Sequence, residues 1–201
     1  MSYKKAHTLA LQYFKKVDPV LYVATGEIVL QPLRSKKDHF GHLVSSIVSQ
    51  QLSSKAADTI LSRLFALYGG MCPSPRQLLA TRKDKLRKVG LSRAKVEYIK
   101  NVAVFCKDLD WTKFTKLDDA EIVRQLTGVK GVGVWTVQMF MIFSLGHPDI
   151  FAPGDLGLRN AVSKLYGKKA HLTPKELETL AEKWKPYRSF ASRLLWKYLD
   201  V

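Results

Sequence analysis

The chain has 201 residues, with 33 Lys and Arg against 17 Asp and Glu, and so a formal charge of +16. Hydrophobic residues make up 46% and charged ones 25%, a globular composition that excludes a fibre or a disordered tail and suits one large domain or two small lobes. No apolar run approaches the ~20 residues of a bilayer span, and the N-terminus lacks a signal-peptide core. Cys72 and Cys106 are the only cysteines, which excludes a disulfide scaffold, a four-cysteine zinc site and a four-cysteine iron–sulfur cluster. The expectation is a soluble, intracellular, basic protein with no membrane partner, whose charge attracts a polyanion, nucleic acid first. The lysines are scattered, so the fold must assemble any binding surface.

In chain order, Tyr22–Leu30 is the one stretch whose alternation suggests a strand. Phe40, Leu43, Val44, Ile47 and Val48 then form an apolar helical stripe. Ala57, Ile60, Leu61, Leu64, Phe65 and Tyr68 form the next, stopped by Gly69-Gly70. Pro75–Ala80 reads as a short helix, Thr81–Val89 as another ending at Gly90, and Ser92 caps Arg93–Lys107. Asp118 and Asp119 open a helix to about Leu126, and Val134–Leu145 precedes Gly146-His147-Pro148. Pro153-Gly154-Asp155 leads into a helix through Leu165. Thr173-Pro174 starts a long last helix that Pro186 must kink or divide. The fold class expected is all-α, with about ten helices.

The most informative segment is Leu126–Phe140, LTGVKGVGVWTVQMF. A helix ends, Gly131-Val132-Gly133 turns tightly, and an apolar helix begins at once. Glycines there let the backbone approach another molecule, and the N–H groups opening the next helix make an anion site. In so basic a chain a DNA phosphate is the natural anion, gripped without reading sequence; a plain αα corner with structural glycines is the alternative. Asp155 follows in DIFAPGDLGLRNA, held at a helix entrance. It reads as an N-cap, as a carboxylate facing developing positive charge, or as both. His39, His42, His147 and His171 are scattered, and only the His39/His42 pair has helical spacing, so surface or capping roles are expected rather than a metal site.

These residues resemble the helix–hairpin–helix (HhH-GPD) DNA glycosylases, and within them the 3-methyladenine DNA glycosylase II, or AlkA, type. The resemblance runs from about Lys37 to Trp196 and rests on IVSQQLSSKAA (Ile47–Ala57), GVGVWT (Gly131–Thr136), PGD (Pro153–Asp155) and AEKWKPYRSFASRLLW (Ala181–Trp196). It implies a two-lobed helical fold with the active-site cleft between lobes. Residues 36–130 would form the lobe with the Gln50-Gln51 turn, and 1–35 with 131–201 the lobe with the hairpin end and the catalytic Asp. The chain is short, without room for the N-terminal α/β domain of longer relatives.

The resemblance further implies Asp155 as the catalytic residue and Gln51 as the side chain that intercalates into DNA. Trp135, Met139 and Trp196 would line the base pocket; Met139 stands where a relative has Tyr, which puts selectivity in question. Lys130, Gly131, Gly133 and Val134 would bind DNA phosphate. Carbonyls of Thr127, Val129 and Val132 are where a hairpin of this family can hold Na⁺ or K⁺. Trp135 occupies the position of the Schiff-base lysine of bifunctional relatives, so a monofunctional hydrolase without lyase activity is expected. It would flip alkylated purines (3-methyladenine, 7-methylguanine) out of duplex DNA and leave an abasic site, acting without a cofactor as a monomer. The alternatives are a glycosylase for hypoxanthine or an oxidised or mismatched base, and a non-catalytic DNA-binding module.

Overall fold

The computed structural model describes residues 3–33, 35, 37–167 and 172–200, so His171 lies outside the described residues. Helices run α1 (Tyr3–Val17), α2 (Pro19–Thr25), α3 (His39–Ser49), α4 (Ser54–Ala66), α5 (Pro75–Ala80), α6 (Lys83–Lys88), α7 (Arg93–Cys106) and α8 (Trp111–Phe114). They continue with α9 (Asp119–Thr127), α10 (Val134–Phe140), α11 (Leu156–Leu165), α12 (Pro174–Ala181) and α13 (Arg188–Asp200). The fold is all-α, with no strand among the described residues. Most helix starts follow from short polar caps: Ser53, Ser74, Ser92, Asp110, Asp118, Asp155 and Thr173 each accept a backbone N–H of the first turn. Ser74/Gln77 and Thr173/Glu176 form complete capping boxes.

The structure departs from the sequence expectation in a few places. Tyr22–Leu30 is no strand: Asp18 accepts the Leu21 N–H at 3.2 Å and Pro19 pre-sets φ, so α2 runs to Thr25 and irregular chain follows. Thr81 closes α5 instead of opening α6. The helix from Val134 widens into a π turn over Met141–Leu145. Pro186 divides the last helix, with a 3₁₀ turn at Glu182–Trp184 between α12 and α13.

Two compact units result: Met1–Ser35 with Met141–Val201, and Lys36–Phe140. The hairpin therefore belongs with the central segment, because α10 packs on α3 and α9 of that unit. There α7 packs against α3, α5 and α6 over buried Leu43, Ile47, Leu78, Leu86 and Ile99. The His39 ring is buried against Trp111 (centroids 5.0 Å apart) and Phe140 (6.0 Å), a packing role that explains its place at the head of α3.

The other unit joins α1 and α2 to α11 and α13. Its polar hub is Asp18, 2% exposed. This carboxylate accepts from Trp184 Nε1 (2.8 Å), the Tyr166 hydroxyl and the Leu21 N–H, and pairs with Lys183 Nζ at 2.9 Å. Burial alone would raise its pKa, but the bonds from Tyr166, Lys183, Trp184 and Leu21 together hold it below the ordinary carboxylate value. Asp18→Ala should cost about 3–5 kcal/mol, because it strands buried donors and a cation. Since the folded carboxyl has the lowered pKa, its stabilisation is complete above about pH 5 and fades as pH falls through the folded value. Thermal melts of wild type and Asp18→Asn should therefore differ most near neutrality and converge in acid.

Candidate active site

In the first unit, Ala152-Pro153-Gly154 turns the chain so that the Asp155 N–H bonds the Ala152 carbonyl at 3.0 Å, and Asp155 becomes the N-cap of α11. Its Oδ1 accepts the Leu158 N–H at 2.8 Å and the Trp196 indole N–H, also at 2.8 Å. Its oxygen sits at the helix start, the positive end of the helix dipole. The indole is a neutral donor, so it orients the oxygen without cancelling its charge. Gly157 makes the meeting possible: a Cβ there would stand 3.0 Å from both Asp155 Oδ1 and Trp196 Cδ1. Asp155 is half-buried.

Trp196 also lies against Phe143, with centroids 5.7 Å apart and planes at 32°. Together with Leu30, Gln31, Arg193 and Lys197 the two rings line a groove of about 380 Å³, within the usual size range of small-ligand sites. Arg193 is buried and donates to the Gln31 carbonyl, tying the irregular chain after α2 to α13. The sequence singled out Trp196 as a pocket wall; its hydrogen bond to Asp155 carried no signal, because the two residues lie 41 positions apart.

The hairpin lies in the Lys36–Phe140 unit. After α9, the Val129 N–H bonds Leu126 O and the Val132 N–H bonds Val129 O at 2.9 Å, with both valine side chains buried. Gly131 has φ +103, and a Cβ on it would run into the Tyr98 ring, so glycine is required twice over. Asn101 Nδ2 donates to Lys130 O at 3.1 Å. Lys130, Gly133, Val134 and Trp135 form an exposed rim, with Trp135 37% exposed; Met139 is 8% exposed, packed into α10's buried face. Among the hairpin carbonyls of Thr127, Val129 and Val132, that of Val129 already accepts within the turn.

The Gln50-Gln51-Leu52 turn ends α3 in the same unit. Gln51 is exposed and has φ +56, the single positive-φ non-glycine residue among those described. Gln50 turns the other way: its Nε2 donates to Gly131 O (3.3 Å) and Thr136 Oγ1 (3.1 Å). Lys95 Nζ donates to Val48 O (2.7 Å) and Gln50 O (2.8 Å), and burial lowers its pKa. The sequence marked Gln50 only as part of the turn and passed over Lys95, one lysine among many.

The family profile of the HhH-GPD superfamily base excision DNA repair proteins matches residues 44–186. DNA-3-methyladenine glycosylase of Saccharomyces cerevisiae is 31% identical over 97% of this chain and 80% of its own length. Among solved structures, Schizosaccharomyces pombe 3-methyladenine DNA glycosylase (Mag1) in complex with abasic DNA superposes with a TM-score of 0.88 at 28% identity, covering 96% of this chain and 97% of its own. DNA-3-methyladenine glycosidase from Bacillus halodurans is 37% identical with a TM-score of 0.78, over 94% and 88%. A profile match across most of the chain, together with 31% identity along nearly all of it, means that this chain belongs to the HhH-GPD superfamily of base excision DNA repair proteins.

Proposed function

We propose that the chain is a monofunctional DNA glycosylase that hydrolyses the N-glycosidic bond of alkylated purines in duplex DNA. The observation that carries this reading is Asp155, a helix-capping carboxylate fixed by the Trp196 indole at 2.8 Å. A purine methylated at N3 or N7 carries positive charge and leaves readily. The C1′–N bond breaks, its electron pair goes to the departing base, and the sugar becomes oxocarbenium-like, as in glycoside hydrolysis. Asp155 stabilises that cation and orients the water, which adds to C1′ and passes its proton to the Asp155 carboxylate.

The target base must first leave the stack. Gln51 fills the vacated space, and the hairpin residues Lys130, Gly131, Gly133 and Val134 grip backbone phosphate. Trp135 offers a π face to the cationic base, a contact worth about 0.5–2 kcal/mol. Because Trp135 is no amine, no Schiff base forms at that position and the strand stays intact. Backbone carbonyls of Thr127, Val129 and Val132 are the hairpin's candidates for a monovalent cation. The substrate places the enzyme's action inside the cell, and it acts as a monomer.

Three variants separate the roles. In single-turnover assays on methylated duplex, Asp155→Asn should lose about 10²–10³-fold in base release, as other removed electrostatic stabilisers do, while keeping its DNA affinity. A non-catalytic binder would have no release to lose. Trp196→Phe keeps the ring and removes the donor, so release should fall by about five- to tenfold, the order of one hydrogen bond, with binding unchanged. Gly131→Ala should weaken DNA binding instead, read as a higher Kd by fluorescence anisotropy on methylated and unmethylated duplex alike.

A further inference from the structure

α7 presents Lys95, Tyr98 and Asn101 at i, i+3 and i+6, which is one face of one helix. Each of the three meets a different piece of the Gln51 turn or the hairpin. Lys95 holds the Val48 and Gln50 carbonyls at the exit of α3. Tyr98 fills the space beneath Gly131. Asn101 holds the carbonyl of Lys130. Gln50 joins the two loops from the other side through Gly131 O and Thr136 Oγ1. The turn is strained, with Gln51 at φ +56, and such a conformation persists only where its surroundings over-determine it. A partly buried ammonium spanning two carbonyls supplies that determination.

We propose that Lys95 is a positioning residue for base extrusion: it locks the Gln50–Gln51 turn so that Gln51 enters the duplex at a fixed distance from the hairpin's grip on the backbone. This rests on the glycosylase reading above. A side chain that must push a base out works only if its own backbone cannot yield, and α7 supplies the rigid backing.

The test uses one methylated purine in two settings, fully paired in duplex and unpaired in a bulge where extrusion is already nearly free. Lys95→Met should lower single-turnover release from the paired site by about tenfold, the order of lost charge-assisted hydrogen bonds, but change release from the bulge by less than about threefold. In a Gln51→Ala background Lys95→Met should add no further loss, and Lys95→Arg should restore most of the paired-site rate. A merely structural role lowers both substrates alike, so equal losses, or additive losses with Gln51→Ala, overturn the proposal. If Lys95→Met does not fold, Lys95→Gln, which keeps one donor, is measured in the same way. Absence of release by wild type from both substrates overturns the glycosylase reading itself.

Discussion

The contact on which the proposed chemistry depends is the one between the Trp196 indole and Asp155 Oδ1, made over Gly157. A carboxylate at a helix N-cap is common and by itself only structural. Here the Leu158 N–H and the indole converge on the same oxygen, so α11 and α13 fix the carboxylate plane between them. The donors differ in kind. The backbone N–H belongs to a helix start, which favours negative charge, and the indole adds direction without adding a cation. A lysine or arginine in place of Trp196 would hold the carboxylate as well but would neutralise the charge that an oxocarbenium-like sugar needs. Gly157 is part of the same device, because any Cβ there would crowd the indole away from α11.

The Lys36–Phe140 unit works by a different principle. In the proposed reading it brings backbone and a few exposed side chains to the DNA, and their placement depends on what lies behind them. Buried Val129 and Val132 anchor the hairpin from below, while Lys130, Gly133, Val134 and Trp135 stay exposed. Gln50 and Gln51 divide their labour: one amide is spent inside on Gly131 and Thr136, and the neighbouring one is exposed on a left-handed backbone. Charge complements this geometry, since a chain of +16 is drawn to DNA wherever its specific contacts sit.

Much of this was legible in the sequence wherever the physics is local. Ser92, Asp118, Asp155 and Thr173 announce helix starts because capping is decided within four residues. Gly131 announces a close approach because only glycine tolerates φ +103 against a ring. What stayed hidden joins distant positions. Asp18 drew no attention in the sequence, yet it is the buried acceptor for Tyr166 and Trp184, about 150 residues and more away. Lys95 reads as one solvated lysine among many, although its ammonium closes two carbonyls at the exit of α3. The Tyr22–Leu30 alternation misled because the Asp18 cap and Pro19 outweigh a weak period-two pattern.

The claim that Asp155 acts by stabilising positive charge on the sugar can be tested without any bond being broken. Duplexes carrying either a neutral tetrahydrofuran or a cationic pyrrolidine in place of the target nucleotide would be titrated with wild type and Asp155→Asn. Wild type should bind the cationic duplex about 100-fold or more tightly than the neutral one, in the range of transition-state analogues, and Asp155→Asn should lose most of that preference. Equal preference in the two proteins would contradict the role given to Asp155.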